Sequence, residues 1–394
     1  MNLRRWLPAA CGMACMGCGV GLISIYGFFV EPLARTFGVG VAAINAGPVA
    51  LLLVPAFLGP LVGRLVDRVS IRRLVLVGVS CSMLSLCVSS IAPALWVAAL
   101  GFLGFAVGLT LYGPVVINGL MVKTYPGQEA RALAVAAMGI SVASMILPPL
   151  VGMLLAWLDW RLALALLALG LLVCLWILVL AGIPAHTAAA QASGRGAMDG
   201  ALMYRRAAFW LIGLCVALGL NASLVLGICY PPHFLNQGYT VAEAGWFMAL
   251  TGLAGMTGKG VIAWLGDAGH HYARWVAAAL LLLQTVGIQL LLAADSAVEV
   301  LPAMAVIGFG AGAFVPMHPY LNSRYFDAAN IGQVSGAQMP LFLPFGLAGA
   351  PLAGYAYDQL GNYHLVLQCL GAALVVAAAL AIALPGARGV PVAK

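Results

Sequence analysis

The sequence predicts an all-α membrane protein with twelve transmembrane helices in two pseudo-symmetric six-helix bundles. Three observations lead there. Of 394 residues, 64% are hydrophobic and 7% are charged, where a soluble domain carries roughly 25% charged residues. Apolar runs of about 20 residues, enough to span a ~30 Å hydrocarbon core, recur along the whole chain. One long polar stretch divides those runs six and six. This composition excludes a soluble enzyme of two domains. The net charge of +7 does not point to nucleic acid either, because the basic residues are spread along the chain in the manner of membrane topology.

The first run, at 7–31, follows Arg4 and Arg5 and so begins like a signal peptide. It is longer than the ~7–15 apolar residues of such a peptide, and reads as a helix that is kept. Further runs lie at 41–66, 73–92, 95–122, 130–156 and 161–182, and after the polar stretch at 208–232, 242–266, 275–294, 299–322, 331–356 and 362–384. The polar stretch, 184–207, is rich in Ala, Gly and Ser and reads as a flexible cytoplasmic linker. The expected domains are therefore 1–183, the linker, and 208–394. With the N-terminus inside, fifteen Lys and Arg residues fall in cytoplasmic segments and two, Arg35 and Arg161, fall outside. That asymmetry fixes the orientation and puts both termini in the cytoplasm. All nine cysteines sit in apolar runs, and Cys15 and Cys18 read as small packing residues rather than a redox pair.

One cation remains inside the membrane. Lys259 lies in the glycine-rich run of the eighth segment, eight residues before Asp267, hence ~12 Å along a helix from the loop that follows. A charge at that depth is costly and marks a functional site facing a bundle interior or a water-filled cavity. Snorkelling is the competing reading, but a lysine stem is short for that depth. No carboxylate shares the level. Glu31, Asp159, Glu243, Asp295, Glu299 and Asp358 fall at outer ends, and Asp67, Glu129, Asp199, Asp267 and Asp327 at cytoplasmic ones.

The two halves echo each other. The segment at 59–73, GPLVGRLVDRVSIRR, follows the second run, and KGVIAWLGDAGHHYAR, at 259–274, follows the eighth. Gly59 to Asp67 and Lys259 to Asp267 have equal spacing, which makes Lys259 the repeat mate of Gly59. Parallel six-helix repeats are the plan of the major facilitator superfamily. GPLVGRLVDRVSIRR resembles that superfamily's signature between helices 2 and 3, with Ser70 where a glycine is usual. YGFFVEPLARTFG (26–38), YGPVVINGLMVKTYPGQEARALA (112–134), PPLVGMLLAWLDWR (148–161) and GAPLAGYAYDQLGNY (349–363) resemble its monocarboxylate and oxalate/formate branch.

The resemblance implies roles. Lys259 stands where that branch places a carboxylate-binding arginine on helix 8, and Tyr112 where it places a substrate-contacting tyrosine. Gly255, one turn before Lys259, departs from the polar or acidic residue common there. Tyr26 and Asn221 are polar at membrane depth and can pair with substrate or with neighbouring helices. Asn118, Gln338 and His318 lie nearer the cytoplasmic ends and join the expected substrate set. His233, after Tyr230-Pro-Pro, is expected at the outer mouth. The expected cytoplasmic gate comprises Gly59, Gly63, Arg64, Asp67, Arg68, Arg131 and Asp267, with Asp67 latched to the arginines.

Together these readings predict a secondary transporter that moves a small organic monocarboxylate or related anion by alternating access, as proton symport or anion exchange. Cationic drug efflux and a non-transporting sensor of the same fold are the alternatives. No cofactor, metal or nucleic acid is expected. The expected partners are the anion, protons and the lipid bilayer, for a monomer in a bacterial inner membrane.

Overall fold

The computed structural model of the protein describes residues 3–40, 43–44, 47–185, 200–265 and 272–386. Asp267, expected in the gate, and most of the linker lie outside them. Among the described residues, eleven helices are long and apolar enough to cross a membrane. They are α1 (Arg5–Ile23), α2 (Gly47–Arg68), α3 (Ile71–Ser90), α4 (Leu95–Thr124), α5 (Glu129–Trp157), α6 (Trp160–Gly182), α7 (Ala207–Asn236), α9 (Ala273–Leu292), α10 (Ala297–Tyr325), α11 (Ala328–Leu360) and α12 (His364–Ile382). Between α7 and α9 runs α8, Val241–Leu265, whose 25 residues make a helix of about 37 Å. Its length suffices to span; Glu243, Lys259 and five glycines dilute its apolar character. This completes the twelve helices expected.

Several of these helices are interrupted, and the interruptions have local causes. In α4 the helix stops at Tyr112, passes through an extended Gly113, and restarts at Pro114. In α10 it stops at Phe314 and resumes at Met317, across Pro316. Proline lacks the N–H that would continue the ladder and favours a helix start. Being the fourth helix of each set of six, α4 and α10 carry the repeat into local geometry. The 3₁₀ turn Met339–Phe342, which contains Pro340 and is followed by Pro344, breaks α11.

Packing inside the bundles uses small residues, as expected where lipid removes the hydrophobic drive between helices. Along the α3–α4 seam, Ser82 Oγ donates to Phe105 O (2.9 Å) and Ser89 Oγ to Ala98 O (3.1 Å). The equivalent α9–α10 seam is equally close, with a Cβ on Gly310 reaching 2.8 Å from Gln284 Cγ and from Leu280 O.

By contacts the chain divides into two compact units. Unit 1 is Met1–Pro126, Val135–Ala197 and Phe326–Pro340; unit 2 is Gly127–Ala134, Met198–Tyr325 and Leu341–Lys394. Their boundaries cross the halves read from sequence at two places. The first part of α11 belongs with α2 in unit 1, and the start of α5 belongs with α8 in unit 2.

Candidate functional site

Within unit 2, Lys259 lies on α8 and is 6% exposed. The glycines beside it bring α8 against α10. A Cβ on Gly258 would stand 2.5 Å from Phe309 O, and one on Gly255 would stand 3.1 Å from Gly308 O. Gly255, which departs from the family's pattern, thus lies close against the α10 backbone. One turn after Lys259, the carbonyl of Ala263 accepts from Arg131 Nε at 3.0 Å.

Asn221 and His318 come together at the break in α11. Asn221 Nδ2 donates to Ala217 O (2.8 Å) and to Phe342 O (3.2 Å), which ends the 3₁₀ turn. The Phe342 ring meets the His318 ring edge-on at 5.7 Å, and His318 Nε2 lies 3.2 Å from Asn322 Nδ2. A broken helix leaves backbone carbonyls without intrahelical donors, and Asn221 supplies one of those donors from α7.

The remaining expected substrate residues lie in unit 1. Tyr112 is fully buried, and its hydroxyl donates to Cys18 O at 3.3 Å. Tyr26 Oη donates to Ile44 O at 2.5 Å, and its ring borders an apolar cavity. Gln338 is fully buried and Asn118 half-buried. Tyr26 and Asn221 each bond inside their own unit. His233, expected at an outer mouth, lies in the last turn of α7 and is 2% exposed, with its ring 6.0 Å from that of His364.

The gate residues form a contact of a different make-up from the expected one. Asp67 pairs with Lys123 at 2.7 Å, and both side chains are under 10% exposed. Lys123 Nζ also donates to Val66 O at 2.9 Å. The same carboxylate accepts from the backbone N–H of Gln333 (2.7 Å) and Gly332 (3.2 Å). Those N–H groups open the helical segment Ile331–Gln338, where unsatisfied donors and the helix dipole favour an anion. Arg64 and Arg68 are exposed, and Arg131 is engaged at Ala263. The partner is therefore Lys123, which sequence reading used only for topology. Its signal was a lone cation directly after the largely apolar stretch Val115–Val122.

Gly59 and Gly63 complete this contact. A Cβ on Gly63 would collide with the carbonyl oxygen of Gly332, and one on Gly336 with that of Gly59. The α2 and α11 backbones touch directly, and Asp67 ties the end of the seam.

Twelve helices, a repeat in the fourth helix of each set, a buried lysine and an acid-tied helix pair are the features of a transporter fold. A family model described as Major Facilitator Superfamily matches residues 9–342, and the chain belongs to that family. It is similar to monocarboxylate transporter 11 of Homo sapiens, 26% identical over 400 residues that cover 97% of this chain and 83% of the relative. It is also similar to monocarboxylate transporter 13 of Bos taurus, 25% identical over 379 residues covering 93% and 84%. Solved structures with the same fold include the human organic anion transporter MFSD10 (TETRAN), with TM-score 0.70, 15% identity and coverage of 96% and 98%. The proton:xylose symporter XylE superposes with TM-score 0.74 at 16% identity, covering 96% and 94%.

Proposed function

We propose that the protein moves a small organic monocarboxylate, or a related organic anion, across the membrane by alternating access. The single observation that carries this reading is Lys259, a buried cation on a spanning helix. An anion entering a low-dielectric site needs a fixed positive partner, and a lysine supplies it as a point charge. The names of the mammalian relatives support the same substrate class.

In this reading the working halves are 1–183 and 208–394, joined by the linker 184–207, with both termini in the cytoplasm. Asn221 and His318 are the polar neighbours of the anion's path in unit 2; Tyr112, Tyr26, Asn118 and Gln338 are further candidates. The seam of Gly59 and Gly63 with Gly332 and Gly336, tied by Asp67 and Lys123, is the cytoplasmic gate, and Arg131 holds α5 to α8. Transport is either proton symport or exchange of anions. Purified protein screened by thermal shift against carboxylates, then assayed for uptake into liposomes, tests it. A shift and uptake driven by an inward pH gradient supports symport, and uptake that requires anion on the opposite side supports exchange. Movement of cations or neutral sugars, with no carboxylate bound or moved, overturns the reading.

A further inference from the structure

Unit 1 contains a cavity of about 660 Å³ in which the transport reading gives a role to Tyr26 alone, leaving the rest of the lining unassigned. Small-molecule sites run from ~300 to 1,000 Å³, so its size is that of a ligand site. Its walls come from one end of each of α1, α2, α3, α4 and α6 and from the helix Tyr26–Phe37 that follows α1, including Leu22, Phe29, Leu51, Phe102 and Leu164. The positive-inside distribution assigns all of those ends to the outer side. Along α4 the wall runs from Leu95 to Phe105, ten residues or ~15 Å. That matches the acyl layer of one leaflet, half of a ~30 Å core.

The walls ask nothing polar of an occupant. Tyr26 Oη is bonded to Ile44 O, Ser89 Oγ to Ala98 O, and Trp160 Nε1 to Thr36 Oγ1 at 2.9 Å. A cavity lined this way stays dry and accepts hydrocarbon. Around it Ile23, Trp96, Leu100 and Leu103 are 40% to 67% exposed, which makes the lining continuous with the apolar outer surface. At the end marked by Trp160 stands Arg161, its guanidinium carbon 4.7 Å from the Trp160 ring centre. Arg161 Nη1 donates to Ser90 O (2.9 Å) and Ala92 O (2.8 Å). This anchors the guanidinium and leaves its other N–H donors for an anion. Arg35, the other outer cation, is paired with Glu31.

We propose that this cavity is a phospholipid site, taking one acyl chain of an outer-leaflet lipid while Arg161 binds the lipid phosphate. Hydrocarbon walls of one-leaflet depth, an apolar mouth and a cation at the headgroup level together specify that occupant. A soluble hydrophobic compound would not need the arginine.

The test uses the full-length protein in nanodiscs of phosphatidylethanolamine and phosphatidylglycerol that contain phosphatidylglycerol with a diazirine in its acyl chain. After illumination, labelled peptides are mapped by mass spectrometry. Labels should concentrate on peptides carrying Leu51, Phe102 and Leu164, several-fold above the lipid-facing Trp176 and Ile177 of α6. Ala99→Phe, which fills the cavity from its exposed rim, should lower the first set several-fold and leave the second unchanged. Arg161→Gln should lower retention of the phospholipid through delipidation without changing where the remaining label falls. Even labelling of both sets in the wild type overturns the proposal whether or not either variant folds. So does cavity labelling that Ala99→Phe, folded by size-exclusion, leaves intact.

Discussion

Asp67 and Lys123 form an ion pair at 2.7 Å between α2 and α4, and the Asp67 carboxylate also accepts two backbone N–H groups at the start of the helical segment of α11. One acid thus ties α2, α4 and the first part of α11, all inside unit 1. Both charges are almost fully buried, so their value lies in geometry and in the consequences of losing one partner. Removing one member of a buried pair costs ~3–5 kcal/mol, while replacing both with apolar groups is often neutral.

Asp67→Asn and Lys123→Met should each lower thermal stability in detergent, and the double variant should recover most of the loss. Asp67→Asn should also raise the reactivity of a cysteine introduced at Gln333, because its N–H loses a charged acceptor. Additive single effects in the double-mutant cycle would contradict the coupling.

Gly63→Ala and Gly336→Ala should separate α2 from α11. Each adds a methyl group where the facing backbone oxygen already stands, and backbone cannot step aside as a flexible side chain can. Spin labels at the Arg68 end of α2 and the Ala328 end of α11 should move apart in both variants. Gly245→Ala is the control, since no atom lies within 4 Å of its added Cβ. Unchanged distances in both variants would remove the glycine seam from the gate.

Asn221→Leu should loosen the break in α11. It removes the donor to Phe342 O and leaves a part-buried carbonyl short of a partner, a loss of about 1 kcal/mol. Thermal unfolding should shift down accordingly, and hydrogen exchange around Met339–Phe342 should rise. If Asn221 touches the anion as well, affinity falls more than this local loosening explains, and titration calorimetry separates the two.

The helix count, the repeat and the burial of Lys259 were legible from sequence because they depend on local composition. Hydrophobic run length reports spanning helices directly, and the spacing from Gly59 to Asp67 needs no tertiary knowledge. Even the breaks had a local signal in Gly113-Pro114 and Pro316. Partner choice had none. Asp67 has arginines within four residues on either side, yet the packing of α2 on α4 points it at Lys123, 56 positions away, and turns Arg64 and Arg68 outward. Gly255 likewise reads as a missing polar group until Gly308 and Gly312 are seen pressed against it. Tyr26 and Tyr112, both polar at membrane depth, satisfy their hydroxyls on backbone carbonyls, a use that spacing cannot distinguish from contact with substrate.

The central claim is that Lys259 is the substrate's charge partner. The direct measurement is titration calorimetry of wild type, Lys259→Gln and Lys259→Arg with the carboxylate that most stabilises the wild type. Breaking a partly buried ion pair costs ~3–5 kcal/mol, or roughly two to four decades in dissociation constant. Lys259→Gln, which keeps length and polarity but not charge, should therefore lose binding by at least two decades while remaining folded. Lys259→Arg should retain part of it, since the charge stays and only the head group changes shape. Undiminished binding of the anion by folded Lys259→Gln would contradict the account.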